Sequence, residues 1–240
     1  MDLAAYAPAD AATLREQAYA SLREALTVGK FMPGQKLTIR SIAGALGVSL
    51  TPVREALRRL VAEGAFEMRP NRSVRVPVMT RAKVLELRDI RLALEGLAAE
   101  RAAERITSAR LDALRQIALE LAAARDRGDI ETDRAKIREF HFTLYAAAEM
   151  PSLVHIIATI WLQTGPYMNL LFPDYVRTRR GEGRARIIRA LQARDGASAR
   201  REMEIDIGEA LTYVAGLADE KGVIAPPWRQ TGALGIVPVR

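Results

Sequence analysis

Cysteine is absent from the 240 residues, and histidine occurs only at His141 and His155. The first absence removes disulfides, thiolate catalysis and cysteine-based zinc sites, and it fits a reducing, cytoplasmic setting. The second leaves little imidazole for acid–base or metal chemistry. No window approaches the roughly 18 consecutive apolar residues that a membrane helix needs. Residues 1–10 carry Asp2 and Asp10 but no base, which is unlike a secretory signal peptide. There is no Gly-x-Ser-x-Gly elbow and no phosphate-cradling glycine loop, so an enzyme is disfavoured. Present instead are 49% apolar residues, enough for a real core, and 27% charged residues, as a soluble chain carries. The length suits one large domain or two small ones.

Charge is unevenly placed. Of a net +7, most arises in residues 30–80, where nine bases (Lys30, Lys36, Arg40, Arg54, Arg58, Arg59, Arg69, Arg72, Arg75) face three acids (Glu55, Glu63, Glu67). The rest of the chain is close to neutral for its size. A clustered basic patch is the electrostatic footprint of a nucleic-acid-binding module. A solvated charged face would have the same composition.

The two halves follow different patterns. Over residues 12–28, Leu14, Ala18, Leu22, Ala25 and Leu26 recur at three- and four-residue spacing, which predicts a core-facing helix stopped by Gly29. Thr38 can cap a short helix to Leu46, Gly47 breaks it, and Pro52 suits the first turn of a helix over 51–63. Two β-like runs, 65–68 and 73–78, flank a turn at Pro70-Asn71-Arg72. Beyond residue 80 the periodicity predicts helices over 80–104, 108–127, 131–148, 151–171, 175–193 and 197–221, an antiparallel bundle. Residues 223–240, with Pro226, Pro227 and Pro238, have no clear period and read as an irregular or partly docked tail.

The sharpest signal lies between Ser41 and Glu63. A helix-turn-helix needs a small residue where its helices touch, a glycine in the turn and an apolar residue in the second helix. Ala43, Gly47 and Val53 meet those needs at relative positions 1, 5 and 11. The arrangement presents Ser49, Leu50, Thr51 and Arg54 to a major groove. There an arginine can bond bidentately to guanine while hydroxyls hold phosphates or bases. The following hairpin, with Arg69, Asn71, Arg72 and Arg75, reads as a basic wing. An ordinary helical hairpin with exposed arginines is the plainer alternative, with Arg59 pairing to Glu55 four residues earlier. The expected fold is therefore mainly α: a winged helix-turn-helix (three helices plus a β-hairpin wing) over 12–78, an all-α bundle over 80–221, and a tail over 223–240.

The run Leu46-Gly47-Val48-Ser49-Leu50-Thr51-Pro52-Val53-Arg54-Glu55-Ala56-Leu57-Arg58-Arg59-Leu60, with Gly64 and Arg69-Pro70-Asn71-Arg72, resembles the GntR family of bacterial transcription regulators. Arg91-Leu92-Ala93-Leu94-Glu95, Phe140-His141 and the run from Arg189 to Gly196 resemble its FadR-type subgroup, whose effector domain is the all-helical FCD bundle. The resemblance spans roughly residues 12–220. It implies a homodimer that binds a short palindromic operator, often as a repressor released by a small metabolite. By position match it places Arg40, Ser49, Thr51 and Arg54 on DNA, with Asn71 and Arg72 of the wing tip in the minor groove. Leu50 stands where the family usually has arginine, which removes one contact.

The same resemblance bears on the bundle. Many FCD domains hold a metal through an Asp four residues before a His and two later histidines. Here His141 matches the first His, but Ile137 takes the Asp position, and Arg184 and Asp206 fall at the later ones. One imidazole, one acid and one guanidinium make a poor ligand set for a divalent cation. No metal or other cofactor is therefore expected. Arg184 is expected either to pair with Asp206 or to bind an effector carboxylate, since its fork matches one. Arg91, His141, Tyr145, Arg184 and Asp206 form the candidate effector site. For Arg91 a surface pair with Glu95 is the plainer alternative, and for His141 a buried core role. His155 reads as structural. Tyr145, Trp161, Tyr167 and Asn169 sit at spacings that could line a cavity, although aromatics are more often core. The linker at 77–81 is where ligand and DNA binding would couple. Two other functions stay open: a sequence-indifferent architectural nucleic-acid binder and, less in keeping with the residues, a small metabolic enzyme.

Overall fold

Thr38 shows how tightly local chemistry directs the first elements of the computed structural model, which describes residues 13–69, 73–172, 175–176 and 182–224. It ends strand β1 (Lys36–Thr38) and caps helix α2 (Ile39–Leu46): its hydroxyl accepts from Ser41 N at 3.0 Å, while Ser41 Oγ accepts from Thr38 N at 3.2 Å. Such a reciprocal cap satisfies two donors that a helix start otherwise leaves bare. Gly47 ends α2 at φ 67°, a left-handed conformation that costs a side-chain-bearing residue about 1 kcal/mol or more. Ser49 then caps α3 (Leu50–Ala62).

Helix α1 (Leu14–Thr27) and α3 bury facing stripes, Ala18, Leu22, Ala25 and Leu26 against Val53, Ala56, Leu57 and Leu60. Each fully buried leucine contributes about 2 kcal/mol. Phe31 and Phe66 close the core edge to face, centroids 5.6 Å apart. Strands β2 (Glu67–Arg69) and β3 (Ser73–Arg75) form the expected hairpin, but the sheet has a third member: β1 pairs antiparallel with β3, giving the order β1-β3-β2. Leu37 sits opposite Val74, which is fully buried. A three-residue run with one apolar position carries no period of its own; β1 exists because β3 offers it an edge.

The remaining helices are α4 (Arg81–Arg105), α5 (Ser108–Asp126), α6 (Ile130–Ala147), α7 (Pro151–Thr164), α8 (Glu182–Gln192) and α9 (Gly196–Gly216). Helix α9 packs most extensively along α4, and α5 along α6. Small residues allow the first approach: a Cβ on Gly96 would stand 2.8 Å from Glu204 Oε1, and one on Gly196 3.1 Å from the Glu100 carbonyl oxygen. Asp129 and Asp195 cap α6 and α9.

Several boundaries depart from the sequence expectation. The helix expected over 151–171 stops at Thr164 and continues as a 3-10 segment, Gly165–Leu171. Pro166 has no N–H for an α-helical bond, and a Cβ on Gly165 would fall on the Leu26 carbonyl oxygen. Helix α9 ends at Gly216, five residues early, and Asp219 organises the turn after it by accepting from Lys221 N and Val223 N. Val223 bridges to Thr80, and Ile224 is fully buried with its N–H on the Met79 carbonyl, so the tail is docked at its start, one of the two forms the sequence allowed. The wing tip at Asn71 and Arg72 and the tail from 225 lie outside the described residues.

Two compact units emerge. One comprises the described residues within Met1–Thr80, Trp161–Asn169 and Ala218–Arg240, and the other Arg81–Ile160 and Leu170–Leu217. Leu162, fully buried, belongs to the core built by α1 and α3.

Candidate functional site

The first unit carries the basic surface, and its acids decide which cations remain available. Arg59 pairs with Glu63 at 3.1 Å and lies over the Tyr19 ring, 3.8 Å from its centroid. The Arg59–Glu55 pair that the plainer reading allowed is not formed: Glu55 meets Arg15 at 3.7 Å instead. Glu63 is the better partner because Tyr19 also donates to it, at 2.7 Å, on a half-buried face. Burial and that bond hold the Tyr19 phenol up at about 12. Arg75 is taken by Glu67 at 2.6 Å.

Left over are Arg40, in the first turn of α2, and Ser49, Thr51 and Arg54 around the start of α3. Arg40, Ser49 and Thr51 are exposed and Arg54 half-exposed. Among the described residues none of the four spends its side chain on a hydrogen bond or ion pair. Ser49 caps α3 through its extended backbone alone, leaving its hydroxyl outward. The start of a helix carries a partial positive charge that favours phosphate. Lys36, Arg58 and Arg69 are exposed in the same unit. Arg58, one turn after Arg54, was detectable in the sequence from its four-residue spacing. Asn71 and Arg72 cannot be placed beside them, since they fall outside the described residues.

The second unit holds a buried polar cluster. On α4, Arg91 is 5% exposed and Glu95 0%, and they bond twice, Nε to Oε1 at 2.5 Å and Nη2 to Oε2 at 3.2 Å. The surface pair that the sequence allowed is thus a core pair. From α6, Tyr145 donates its hydroxyl to Glu95 Oε2 and lies 3.8 Å from Met203 Sδ of α9. Burial pulls the Arg91 guanidinium down, but Glu95, Tyr145 and Asp206 outweigh it and raise its pKa. Burial first, then the Glu95 charge, hold the Tyr145 phenol well above its ordinary value, so it remains a donor.

His141, one turn before Tyr145, places Nε2 3.4 Å from Asp206 Oδ2 of α9. Its Nδ1 donates to the Ile137 carbonyl at 2.8 Å. Asp206 is also 3.4 Å from where a Cβ on Gly183 would stand, at the start of α8. The next residue, Arg184, lies over Phe140, 5.9 Å from the ring centroid. Four helices thus bring together Arg91, His141, Tyr145 and Asp206, with Arg184 beside Phe140. Glu95, which was not among the site residues expected from sequence, stands between Arg91 and Tyr145. Its position betrays it: 91, 95, 98, 99 and 102 share one helix face, and Ala98, Ala99 and Ala102 are core.

This donor set does not fit a divalent metal. Ile137 offers only its backbone oxygen, already on His141, and Glu95 is committed to Arg91. Among the described residues no group of three His, Asp or Glu could ligate one. No helix among them is long and apolar enough to cross a membrane.

Comparison with known proteins joins the two sites. The family described as bacterial regulatory proteins, gntR family, matches residues 14–76, and the FCD domain family matches residues 86–208. The HTH-type transcriptional regulator McbR of Escherichia coli is 34% identical over 151 residues, 63% of this chain and 68% of that protein. A solved E. coli McbR/YncC structure superposes with a TM-score of 0.77 at 30% identity, covering 85% of this chain and 99% of that one. A probable D-xylose utilization operon transcriptional repressor of Paenarthrobacter nicotinovorans is 29% identical over 173 residues, 70% of this chain and 74% of that protein.

Proposed function

Because the chain belongs to the GntR family of bacterial transcription regulators and carries an FCD domain, we propose that it is a ligand-responsive repressor. Its homodimer binds a palindromic operator in the cytoplasm and releases it when a small carboxylate enters the bundle. A transcription regulator with these two domains binds DNA through the first and a small molecule through the second; it is not an enzyme. The observation that carries the finer reading is the uncommitted set Arg40, Ser49, Thr51 and Arg54, in one chain with a buried polar cluster that α4, α6, α8 and α9 build together. Arg54 reads bases, Ser49, Thr51 and Arg40 hold phosphates or base edges, and Asn71 and Arg72 of the wing follow the minor groove.

Within the bundle Glu95 neutralises Arg91, so the effector carboxylate falls to Arg184, with His141, Tyr145 and Asp206 orienting the remainder of the ligand. Binding shifts the population towards the conformation with lower operator affinity. Repression agrees with the names of two relatives, the probable D-xylose utilization operon transcriptional repressor and the HTH-type transcriptional repressor RspR of Escherichia coli.

The test begins with operator selection from a random duplex library, followed by footprinting. A discrete protected palindrome supports the reading; uniform protection at every sequence favours an architectural binder. Small organic acids that raise the melting midpoint are then added to the operator complex. Release by wild type, with no release from Arg184→Ala, is the expected result. Undiminished release from that variant overturns the assignment of Arg184.

A further inference from the structure

Residues 161–169 fall inside the stretch that the FCD family matches, yet their side chains complete the DNA-binding head. Leu162 is fully buried in the core of α1 and α3. Gln163 Nε2 donates at 3.1 Å to the carbonyl of Glu63, the residue that ends the recognition helix. Gly165 passes so close to α1 that any side chain would strike the Leu26 carbonyl. Tyr167 donates its hydroxyl to the Pro77 carbonyl at 2.9 Å and accepts from Met79 N, where the chain leaves the wing. Asn169 Nδ2 donates to the carbonyls of Gly29 at 2.8 Å and Phe31 at 3.1 Å, fixing the loop between α1 and β1.

The hydrogen bonds from Gln163, Tyr167 and Asn169 to the head are distributed with a pattern. Each of these falls on backbone just beyond an element: after α1 at Gly29 and Phe31, after α3 at Glu63 and after β3 at Pro77 and Met79. Backbone contacts at element ends set where the elements point, and they tolerate any sequence on the DNA-facing surface. We propose that Trp161–Asn169 is a positioning element for operator reading, with Gln163, Tyr167 and Asn169 fixing the recognition helix, the wing exit and the α1–β1 loop relative to one another. The three residues act through the head and touch no DNA. Glu63 concentrates the effect, because its carboxylate also takes Tyr19 and Arg59 while its carbonyl takes Gln163.

The test uses the full chain and the ratio of its affinity for a library-selected operator to that for a scrambled duplex of equal length and salt. Gln163→Glu keeps the shape but cannot donate, and Tyr167→Phe removes one hydroxyl. Each variant is expected to lower the ratio about fivefold or more, with scrambled-duplex binding unchanged because phosphate contacts persist. Urea midpoints are recorded alongside, and affinities are referred to the folded fraction. Should one substitution prevent folding, the other carries the test. Gln163→Asn, which retains the donor on a shorter arm, is expected to recover part of the ratio. An unchanged ratio in the folded variants, whether or not the midpoint falls, overturns the proposal. Loss of both affinities in equal proportion does so too, since it would mean a purely structural role.

Discussion

Tyr145 donates its hydroxyl to Glu95, and that carboxylate also holds the Arg91 guanidinium at 2.5 and 3.2 Å. With all three side chains inside the bundle, removing one partner strands the others. Glu95→Ala leaves a buried cation without its counter-charge and is expected to cost about 3–5 kcal/mol. Tyr145→Phe removes one bond to a charged acceptor and should cost about 1.5–3 kcal/mol. The double variant Arg91→Met/Glu95→Leu should recover most of the stability, because no charge is then left behind. Urea denaturation measures all three, and a Glu95→Ala protein within 1 kcal/mol of wild type would show that Arg91 does not depend on this acid.

Arg54 and Arg59 lie on the same helix but have different fates. Arg59 is engaged by Glu63 and Tyr19, whereas Arg54 has no ion pair among the described residues. Arg54→Ala is expected to weaken operator binding by about 1–3 kcal/mol and relax base preference, with the melting midpoint unmoved. Arg59→Ala removes an exposed cation from a half-buried acid that keeps its bond from Tyr19; it should shift stability by less than about 1 kcal/mol and leave base preference intact. Anisotropy titration against the selected operator and single-base variants distinguishes them.

Metal removal offers a direct check on the bundle. Of the five candidate effector residues, only His141 and Asp206 carry the imidazole and carboxylate donors that a divalent cation takes from such a site, and Arg184 adds a repelling charge. Dialysis against a strong chelator is expected to leave the melting midpoint where it was. A fall of several degrees, restored by zinc or nickel, would return a metal to the site.

The parts legible in the sequence are those built by local chemistry. Thr38, Gly47 and Pro52 mark the bounds of α2 and α3 within a residue or two, because caps and breakers act over one turn. Arg91 and His141 were named through family resemblance, and Tyr145 from a helical spacing that suits core as well as cavity. Their convergence needs α4 and α6 to pack, and no local spacing encodes that. Glu95 looked like a surface partner because an i,i+4 pair reads the same exposed or buried; only the alanines on its face tell the cases apart. Strand β1 was invisible, since its pairing energy resides in β3. The role of Trp161–Asn169 was hidden most completely. Its hydrogen bonds join residues 88 to 140 positions apart, whereas the break that frees it for them, Gly165-Pro166, was in plain view within an expected helix.

Two glycines separate close approach from mere permissiveness. A Cβ on Gly165 would meet the Leu26 backbone, which cannot move without displacing α1. Gly165→Ala is therefore expected to destabilise by about 1–3 kcal/mol, the cost of overpacking. Gly44 sits inside α2 with nothing within 4 Å of the same position. Gly44→Ala should stabilise by about 0.5–1 kcal/mol through helix propensity alone. Thermal unfolding of the two variants should move in opposite directions, and a shift of the same sign in both would contradict the close approach at Gly165.

Three tyrosines predict a loss of stability in alkali. Burial is the first cause of a raised pKa at Tyr19, Tyr145 and Tyr167; hydrogen bonding to Glu63 at Tyr19 and the charge of Glu95 at Tyr145 add to it. Below the ordinary value of 10.0 both the folded and the unfolded chain keep these protons, so they introduce no slope. Above it the unfolded phenols ionise first. Stability then falls by up to about 1.4 kcal/mol per pH unit for each phenol, until the folded groups ionise in turn. The urea midpoint should accordingly show no tyrosine-dependent slope below pH 10 and turn downward above it, less steeply in Tyr167→Phe. Phenolate absorbance of the folded protein supplies the independent check: three of its six tyrosines should resist ionisation until well above pH 10, and a full-amplitude transition centred there would refute the burial argument.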